Sequence, residues 1–221
     1  MKTNQRFEIP VAGRFAGAYL AQVVSVNDPD NLSRVQLRLL NFDGFNEQDA
    51  PIWARVAVPF AGANRGAFLL PDVDDEVVVN FINGDSRFPI VIGGLWNGSD
   101  SAPEQLGGSG NQIDRWTFVG KAGTRIAIVE ETNPTISLTT PGGVSLEMTD
   151  EGGGKIELQV AGTTVTIDTS GMSVQTPSTF KVQASQIEKT SGQVTVNAAM
   201  SKFSGFVTCD VAKASTMIST V

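Results

Sequence analysis

Four carboxylates in the second half of the chain are the side chains most able to act as catalytic acids or bases. Glu147, Glu157, Asp168 and Glu188 lie in a stretch of alternating polar and apolar residues. Two carboxylates that flank a bound sugar can hydrolyse a glycosidic bond. A sugar cleft would also need aromatic platforms, and no Trp or Tyr follows Trp116. The composition therefore favours a second interpretation, in which these acids lie on the solvated faces of strands.

The residues that most often perform catalysis are missing or isolated. The 221-residue chain contains no histidine, which excludes histidine acid–base chemistry, Ser–His and Cys–His pairs, and histidine metal sites. A single cysteine, Cys209, cannot form an intrachain disulfide and is expected to be a small buried apolar residue. We predict no catalytic residue, no cofactor, no metal site and no enzymatic activity.

The acidic residues form one local cluster, and the chain has no basic block. Asp72, Asp74, Asp75 and Glu76 lie close together but lack the spacing of a calcium-binding loop, so a solvated turn before a strand is favoured. The net charge is −7. A protein that binds nucleic acid usually carries a basic patch. We therefore expect no nucleic-acid partner.

Nothing in the sequence predicts membrane insertion or export. No apolar run is long enough to cross a bilayer, and residues 1–10 lack the apolar core of a signal peptide. We expect synthesis and assembly in the cytoplasm.

The first half of the chain predicts a small barrel of five or six strands. Alternation and turn residues place strands at 18–27, 34–40, 52–58, 76–82 and 89–92, with a further short strand at 67–70. Asn83-Gly84-Asp85 predicts a tight hairpin. This spacing without helices suits an OB-fold barrel at residues 16–98.

The second half predicts many short strands with little bulk to form a core. Only Phe180, Phe203 and Phe206 represent the aromatic residues after residue 120. Strands are predicted around Ile156 to Val160, around Val165 and Ile167, and around Val194 and Val196, each ended by Gly, Pro, Ser or Asp clusters. Period-two alternation implies one buried face, which a single such chain could not cover by itself.

Three architectures are compatible with this pattern. A monomeric β-solenoid usually needs more bulk in its lumen, and a flat meander leaves strand edges exposed. An intertwined three-chain β-helix covers both edges and faces with other copies of the chain, and we favour it. About ten strands stacked at roughly 4.8 Å would give a needle on the order of 50 Å long.

The first half also resembles a known family, through an ordered series of short motifs. The resemblance is to the baseplate assembly protein V and VgrG-type central spike family of contractile phage tails and injection systems. Residues 116–126 resemble the start of that family's β-helix, although Gly123-Thr124 stands where many members have Gly-His. The motifs are GAYLAQV (17–23), SRVQL (33–37), WARV (53–56), RGAFLLP (65–71), VDDEV (73–77), PIVIG (89–93) and LWNG (95–98).

The resemblance implies an all-β homotrimer that acts mechanically. Its expected parts are an N-terminal arm at 1–15, the OB-fold barrel at 16–98, a Gly/Ser/Pro linker at 99–114 and a trimeric β-helical needle at 115–221. It implies a structural spike that links a hub or inner tube to a piercing tip and meets the target membrane only transiently. Open alternatives are a trimeric β-helical glycan-degrading tail spike and an OB-fold nucleic-acid-binding protein.

Two further partners follow from the resemblance. VgrG-type proteins carry a large hub domain before the barrel, whereas about fifteen residues precede it here, so a separate hub protein is expected to dock on residues 1–15. Short spikes of the family can end in a His-x-His iron site, which a chain without histidine cannot form. We therefore expect a PAAR-type tip protein, or a bare end, at residues 200–221.

Overall fold

The structure is a computed structural model that describes residues 15, 17–40, 50–107, 111–206 and 208. Within these ranges the regular elements are fourteen β-strands and short 3-10 turns, with no α-helix, so the all-β prediction is confirmed. The first seven strands are β1 (Tyr19–Ser25), β2 (Val35–Leu39), β3 (Ile52–Val56), β4 (Ala61–Gly62), β5 (Arg65–Gly66), β6 (Glu76–Phe81) and β7 (Pro89–Leu95).

Five of these strands form a closed barrel in the order β1-β2-β3-β7-β6. Only β3 and β7 pair in parallel, and the other pairs are antiparallel. Alternating residues point inward and are fully buried, which is why period-two alternation predicted the strands. The predicted OB-type barrel is confirmed. Its buried core consists of Ala21, Val23, Val35, Leu37, Ala54, Val77, Val79, Phe81 and Val91.

One predicted barrel element is wrong. Residues 67–70 form no strand, and the Gly-rich loop before them instead forms a small hairpin of β4 and β5. Leu69 and Phe68 are both exposed, at 53 % and 77 %, so the segment has no buried face that would hold it as a barrel strand. The predicted hairpin at Asn83 joins β6 to β7 through a 3-10 turn.

The loop between β1 and β2 is ordered around one carboxylate. Asp28 is only 7 % exposed and accepts backbone hydrogen bonds from Asp30, Leu32 and Arg34 at 2.9 to 3.1 Å. The Arg34 guanidinium donates to both of its oxygens and lies over the ring of Trp53. The Arg34 hydrogen bonds, reinforced by the backbone donors, hold the pKa of Asp28 well below its usual range.

The second half forms a separate seven-stranded antiparallel sheet in which each strand pairs with the next. The strands predicted around Ile156 and Val165 are confirmed as β12 and β13. The two residues between them, Ala161 and Gly162, have φ of +47° and +81°, as a type I′ hairpin turn requires. The sheet consists of β8 (Arg115–Val119), β9 (Arg125–Val129), β10 (Thr135–Thr139), β11 (Ser145–Thr149), β12 (Lys155–Val160), β13 (Thr163–Asp168) and β14 (Gly171–Gln175).

The described residues from 176 to 206 belong to a second unit of the chain and contain no strand. The strand predicted around Val194 and Val196 is therefore wrong for a single chain, in which both side chains are exposed. A strand is defined by hydrogen bonds to a neighbour, and this segment finds no neighbouring strand within the described chain. Residues 1–14 of the expected arm (1–15), Cys209 and the rest of the chain after it lie outside the described residues.

We predict that the β1–β2 loop makes stability depend on pH. Because the pKa of Asp28 is lowered from 3.8 in the folded chain, its stabilising effect is present above pH 3.8 and is lost as the pH falls toward the folded pKa. Asp28→Asn should lower the melting temperature at pH 7, and the difference from the wild type should shrink below pH 3.8. Calorimetry at several pH values checks this, and a difference that does not change with pH would contradict it.

We also predict that a substitution in the β12–β13 turn can stabilise the sheet. A residue other than Gly, Asn or Asp is strained at positive φ, so Ala161→Asn, which creates the favoured Asn-Gly turn, should stabilise the sheet by about 0.5–1 kcal/mol. The measurement is the melting temperature of the full chain. Ala102→Asn, at a position without positive φ, is the control and should give no gain. An unchanged melting temperature for Ala161→Asn would show that backbone strain at Ala161 does not reduce the stability of the chain.

Candidate assembly interface

One face of the seven-stranded sheet is apolar at every central position. The strand registers align these residues into two columns, each with one member on every strand from β8 to β14. The first column is Trp116, Ile128, Ile136, Met148, Ile156, Ile167 and Met172, and the second is Phe118, Ile126, Leu138, Leu146, Leu158, Val165 and Val174.

This apolar face is uncovered in the single chain. Twelve of its fourteen side chains are exposed, from 37 % for Met148 to 69 % for Met172, and Leu146 and Val165 are half-buried. Neighbouring side chains of the same face cover one another only in part. Monomeric proteins rarely expose a continuous apolar surface of this length, so the face is the strongest candidate for a functional surface.

The opposite face of the same sheet is polar. Most of its alternate positions carry threonine, serine, charged residues or glutamine, with Val119 and Val129 near its first edge, and its two buried members, Ala127 and Thr149, are small. The Thr149 hydroxyl oxygen accepts a hydrogen bond of 3.2 Å from the hydroxyl of Thr135 on the neighbouring strand. An antiparallel sheet with one apolar and one polar face normally packs the apolar face on a core.

The carboxylates considered for glycan chemistry lie on this polar face. Glu147 and Glu157 are directly opposite each other on β11 and β12, and the Lys155 ammonium lies 3.9 Å and 3.5 Å from them. Asp168 accepts hydrogen bonds from Ser170, and these lower its pKa. Glu147 and Glu157 therefore form a half-buried cross-strand pair beside Lys155, and Asp168 belongs to a turn.

The other predicted features lie apart from one another. Glu188 is exposed in the second unit of the chain. In the acidic cluster, Asp72, Asp74 and Asp75 lie in the turn before β6 and Glu76 begins that strand, and Asp72 pairs with Lys121. Within the described ranges, acidic, histidine and cysteine side chains form no group of three or more that could hold a metal ion.

The structure also reveals an ion network that sequence patterns did not predict. Glu104, in the expected linker, pairs with Arg115 of β8 at 3.3 Å and with Arg125 of β9. Arg115 also pairs with Glu131 at 2.7 Å. Gly107 allows this close approach, because a Cβ atom there would lie 2.6 Å from the Arg115 Nε atom. We call Glu104, Arg115, Arg125 and Glu131 together the Glu104 clasp. These ion pairs fix the linker to the polar face.

Comparison with known proteins identifies the barrel. Residues 19–96 match the type VI secretion system/phage-baseplate injector OB domain family. The barrel of this chain matches that injector OB domain. The resemblance seen in its motifs, to the baseplate assembly protein V and VgrG-type family, is thereby confirmed.

The similar curated proteins are named as spike proteins. Over 79 residues, or 35 % of this chain, the injector OB domain is 35 % identical to the type VI secretion system spike protein VgrG3 of Vibrio cholerae. It is 30 % identical over 36 % of the chain to spike protein VgrG1a of Pseudomonas aeruginosa. The matches cover 8 % and 12 % of those relatives. A shorter match of 61 residues, 36 % identical, is to the actin cross-linking toxin VgrG1 of Vibrio cholerae, of which it covers 6 %.

None of the helices formed by the described residues has the length and apolar character needed to cross a membrane.

We predict that the Glu104 clasp holds the linker against the sheet. Glu104→Gln removes the charge that both arginines share, and amide hydrogens of residues 99–107 should then exchange about two- to fivefold faster, because partly exposed ion pairs contribute up to about 1 kcal/mol. Hydrogen exchange with mass spectrometry measures this. Glu130→Gln, an exposed acid outside the clasp, is the matched control and should change nothing. Equal exchange in both variants would mean that the linker is held by other contacts.

Proposed function

We propose that this chain is the homotrimeric central spike of a contractile injection particle, such as a phage baseplate, a bacteriocin or a secretion apparatus. The observation that carries the proposal is an injector OB domain followed by an amphipathic sheet whose apolar face is uncovered. In this proposal the arm at 1–15 and the barrel connect to a hub or inner tube, and residues 115–221 form the needle.

The uncovered face gives a physical reason for assembly. Three copies of the sheet arranged around an axis would each turn the two apolar columns inward and the polar face outward. Each apolar square ångström removed from water contributes about 25 cal/mol. The exposed apolar face indicates only that some surface must cover it. The proposed number of chains, three, is taken from the resemblance to trimeric spikes.

The segment from 176 to 206 is proposed to continue the needle by pairing between chains. Its apolar side chains recur at every second position around Val194, Val196 and Met200 and again at Phe180 and Val182, and all five are exposed. Residues at this spacing share a face when the backbone is extended. Strands that find no partner within a chain can find one in each neighbouring chain.

The proposed mechanism is mechanical. When three chains share one core, unfolding any part requires separating them, and this raises the kinetic barrier to unfolding. A spike driven through an envelope needs that resistance. The target membrane would be met only transiently, and a PAAR-type tip protein would cap the end of the needle.

The two alternatives are less well supported. A glycan hydrolase would need aromatic rings beside its acids, but Trp116 lies on the face opposite Glu147 and Glu157. A protein that binds nucleic acid usually carries a dominant basic charge, whereas this chain has a net charge of −7. The arginine that lies over Trp53 is also paired with Asp28 and Asp30.

We predict that a charge on the apolar face prevents assembly, whereas the same charge on the polar face does not. In the proposed trimer, Leu138→Lys buries three ammonium groups, one from each chain, in a core that has no acidic partner for them. Ser137→Lys, one residue away, faces Glu147 on the neighbouring strand and is the matched control. Sedimentation velocity should find Leu138→Lys mostly as single chains and Ser137→Lys assembled like the wild type.

The comparison has a clear contrary result. If both lysine variants assemble as the wild type does, the face that contains Leu138 is not the core of an oligomer. Circular dichroism of the separated Leu138→Lys chain should still report β structure, because the sheet pairs its strands within one chain.

A further inference from the structure

The surface of the barrel carries a groove with two arginines that form no ion pair with any described residue. The groove has a volume of about 640 Å3 and is lined by Arg55, Arg65, Phe60 and Phe68 among others. Phe60 and Phe68 are 62 % and 77 % exposed. Among the described ion pairs, no carboxylate reaches Arg55 or Arg65. Arg65 is held over the β4–β5 hairpin, since a Cβ atom on Gly62 would lie 2.7 Å from its Nε atom. We call this surface the basic groove.

A second surface beside it has the opposite charge. Two adjoining grooves are lined by exposed or partly exposed carboxylates and by Trp96, which is 68 % exposed. Lys121 lies among these acids, and its pKa is raised by a hydrogen bond to Asp72 and by neighbouring carboxylates. One lysine leaves most of the negative charge uncompensated. This surface, which we call the acidic ridge, contains Asp72, Asp74, Asp75, Glu76 and Asp100.

The two surfaces form one continuous band. Phe68 and Leu70 line both the basic groove and the acidic ridge, so the band is basic at one end, apolar in the middle and acidic at the other. A ring of identical subunits joins them head to tail, and such a contact needs two different surfaces that complement each other. A band with opposite charges at its ends meets that requirement.

We propose that the basic groove of each barrel binds the acidic ridge of the next copy, so that three barrels close into a ring. Arg55 and Arg65 would then find carboxylates, and Phe60 and Phe68 would be covered together with Trp96 of the neighbouring copy. The proposal rests on the threefold assembly proposed above and adds the surfaces by which the barrels meet.

The contact would mainly fix how neighbouring barrels are oriented, and it would contribute little to the stability of the trimer. Complementary charges at an interface mainly fix register and exclude wrong arrangements, and pairs near solvent weaken with added salt. The sheet face buries far more apolar surface. Loss of the barrel contact should therefore leave three chains joined through the needle while their barrels separate.

Cysteine cross-linking of the full chain tests the contact without removing any charge. In a background where Cys209 is replaced by serine, Ala61→Cys marks the basic groove and Ser101→Cys marks the acidic ridge, and both positions are exposed. A short bismaleimide should join the double variant into covalent dimers and closed trimers on a denaturing gel. Each single-cysteine variant should stay as single chains. The control pair, Ser86→Cys with Ser101→Cys, uses an exposed site outside both surfaces and should not cross-link.

Charge reversal and native mass separate the possible outcomes. Adding Arg55→Glu and Arg65→Glu to the cross-linking pair should lower its yield about tenfold, because like charges would then face each other. Absence of cross-links in a chain that native mass spectrometry finds to be trimeric would overturn the ring contact and leave the spike proposal intact. Cross-linking of the Ala61→Cys variant alone would overturn it in favour of a twofold contact. A monomeric native mass would overturn the spike proposal and the ring contact with it.

Discussion

An antiparallel sheet that has one apolar face must cover that face, and this constraint organises the second half of the molecule. Strands β8 to β14 satisfy one another's backbone hydrogen bonds within the chain, yet two columns of apolar side chains remain in contact with water. Removing such a surface from water is the main favourable term in folding and in association. The sheet can be ordered in one chain but is complete only when something packs against it.

The barrel, in contrast, covers its apolar side chains within a single chain. Its strands alternate in the same way, but the sheet closes on itself, so the inward residues such as Val23, Leu37 and Val79 are fully buried by one another. The barrel therefore buries its own apolar residues, whereas the sheet leaves one apolar face exposed. The Glu104 clasp and the pair of Lys121 with Asp72 tie the linker and the first sheet turn in place.

Much of this architecture follows from the sequence, because alternation and turn residues are local signals. They predicted β1, β2, β6, β12 and β13, and the ordered motifs predicted the injector OB domain. The pattern failed at 67–70, where exposed Phe68 and Leu69 mimic a strand, and around Val194, where a strand needs a neighbour that the described residues do not provide. Pairing partners are a property of the assembly, and a single sequence does not specify them.

The interface and the clasp were harder to predict for related reasons. Two aligned apolar columns exist only because every hairpin turn has the length that keeps the register, as the direct pairing of Ile136 with Met148 illustrates. Glu104 lies in a segment rich in Gly, Ser and Pro, where nothing in the local sequence indicates a partner on β9. Contacts of this kind depend on how distant segments meet, and they become visible only in three dimensions.

The native mass of the full chain tests whether the apolar face is buried between copies of the chain. We expect a single species with three times the chain mass of 23.4 kDa, which separates into single chains only after strong denaturation. A species of 23.4 kDa at micromolar concentration, with its β structure intact, would show that the face is not buried in this way.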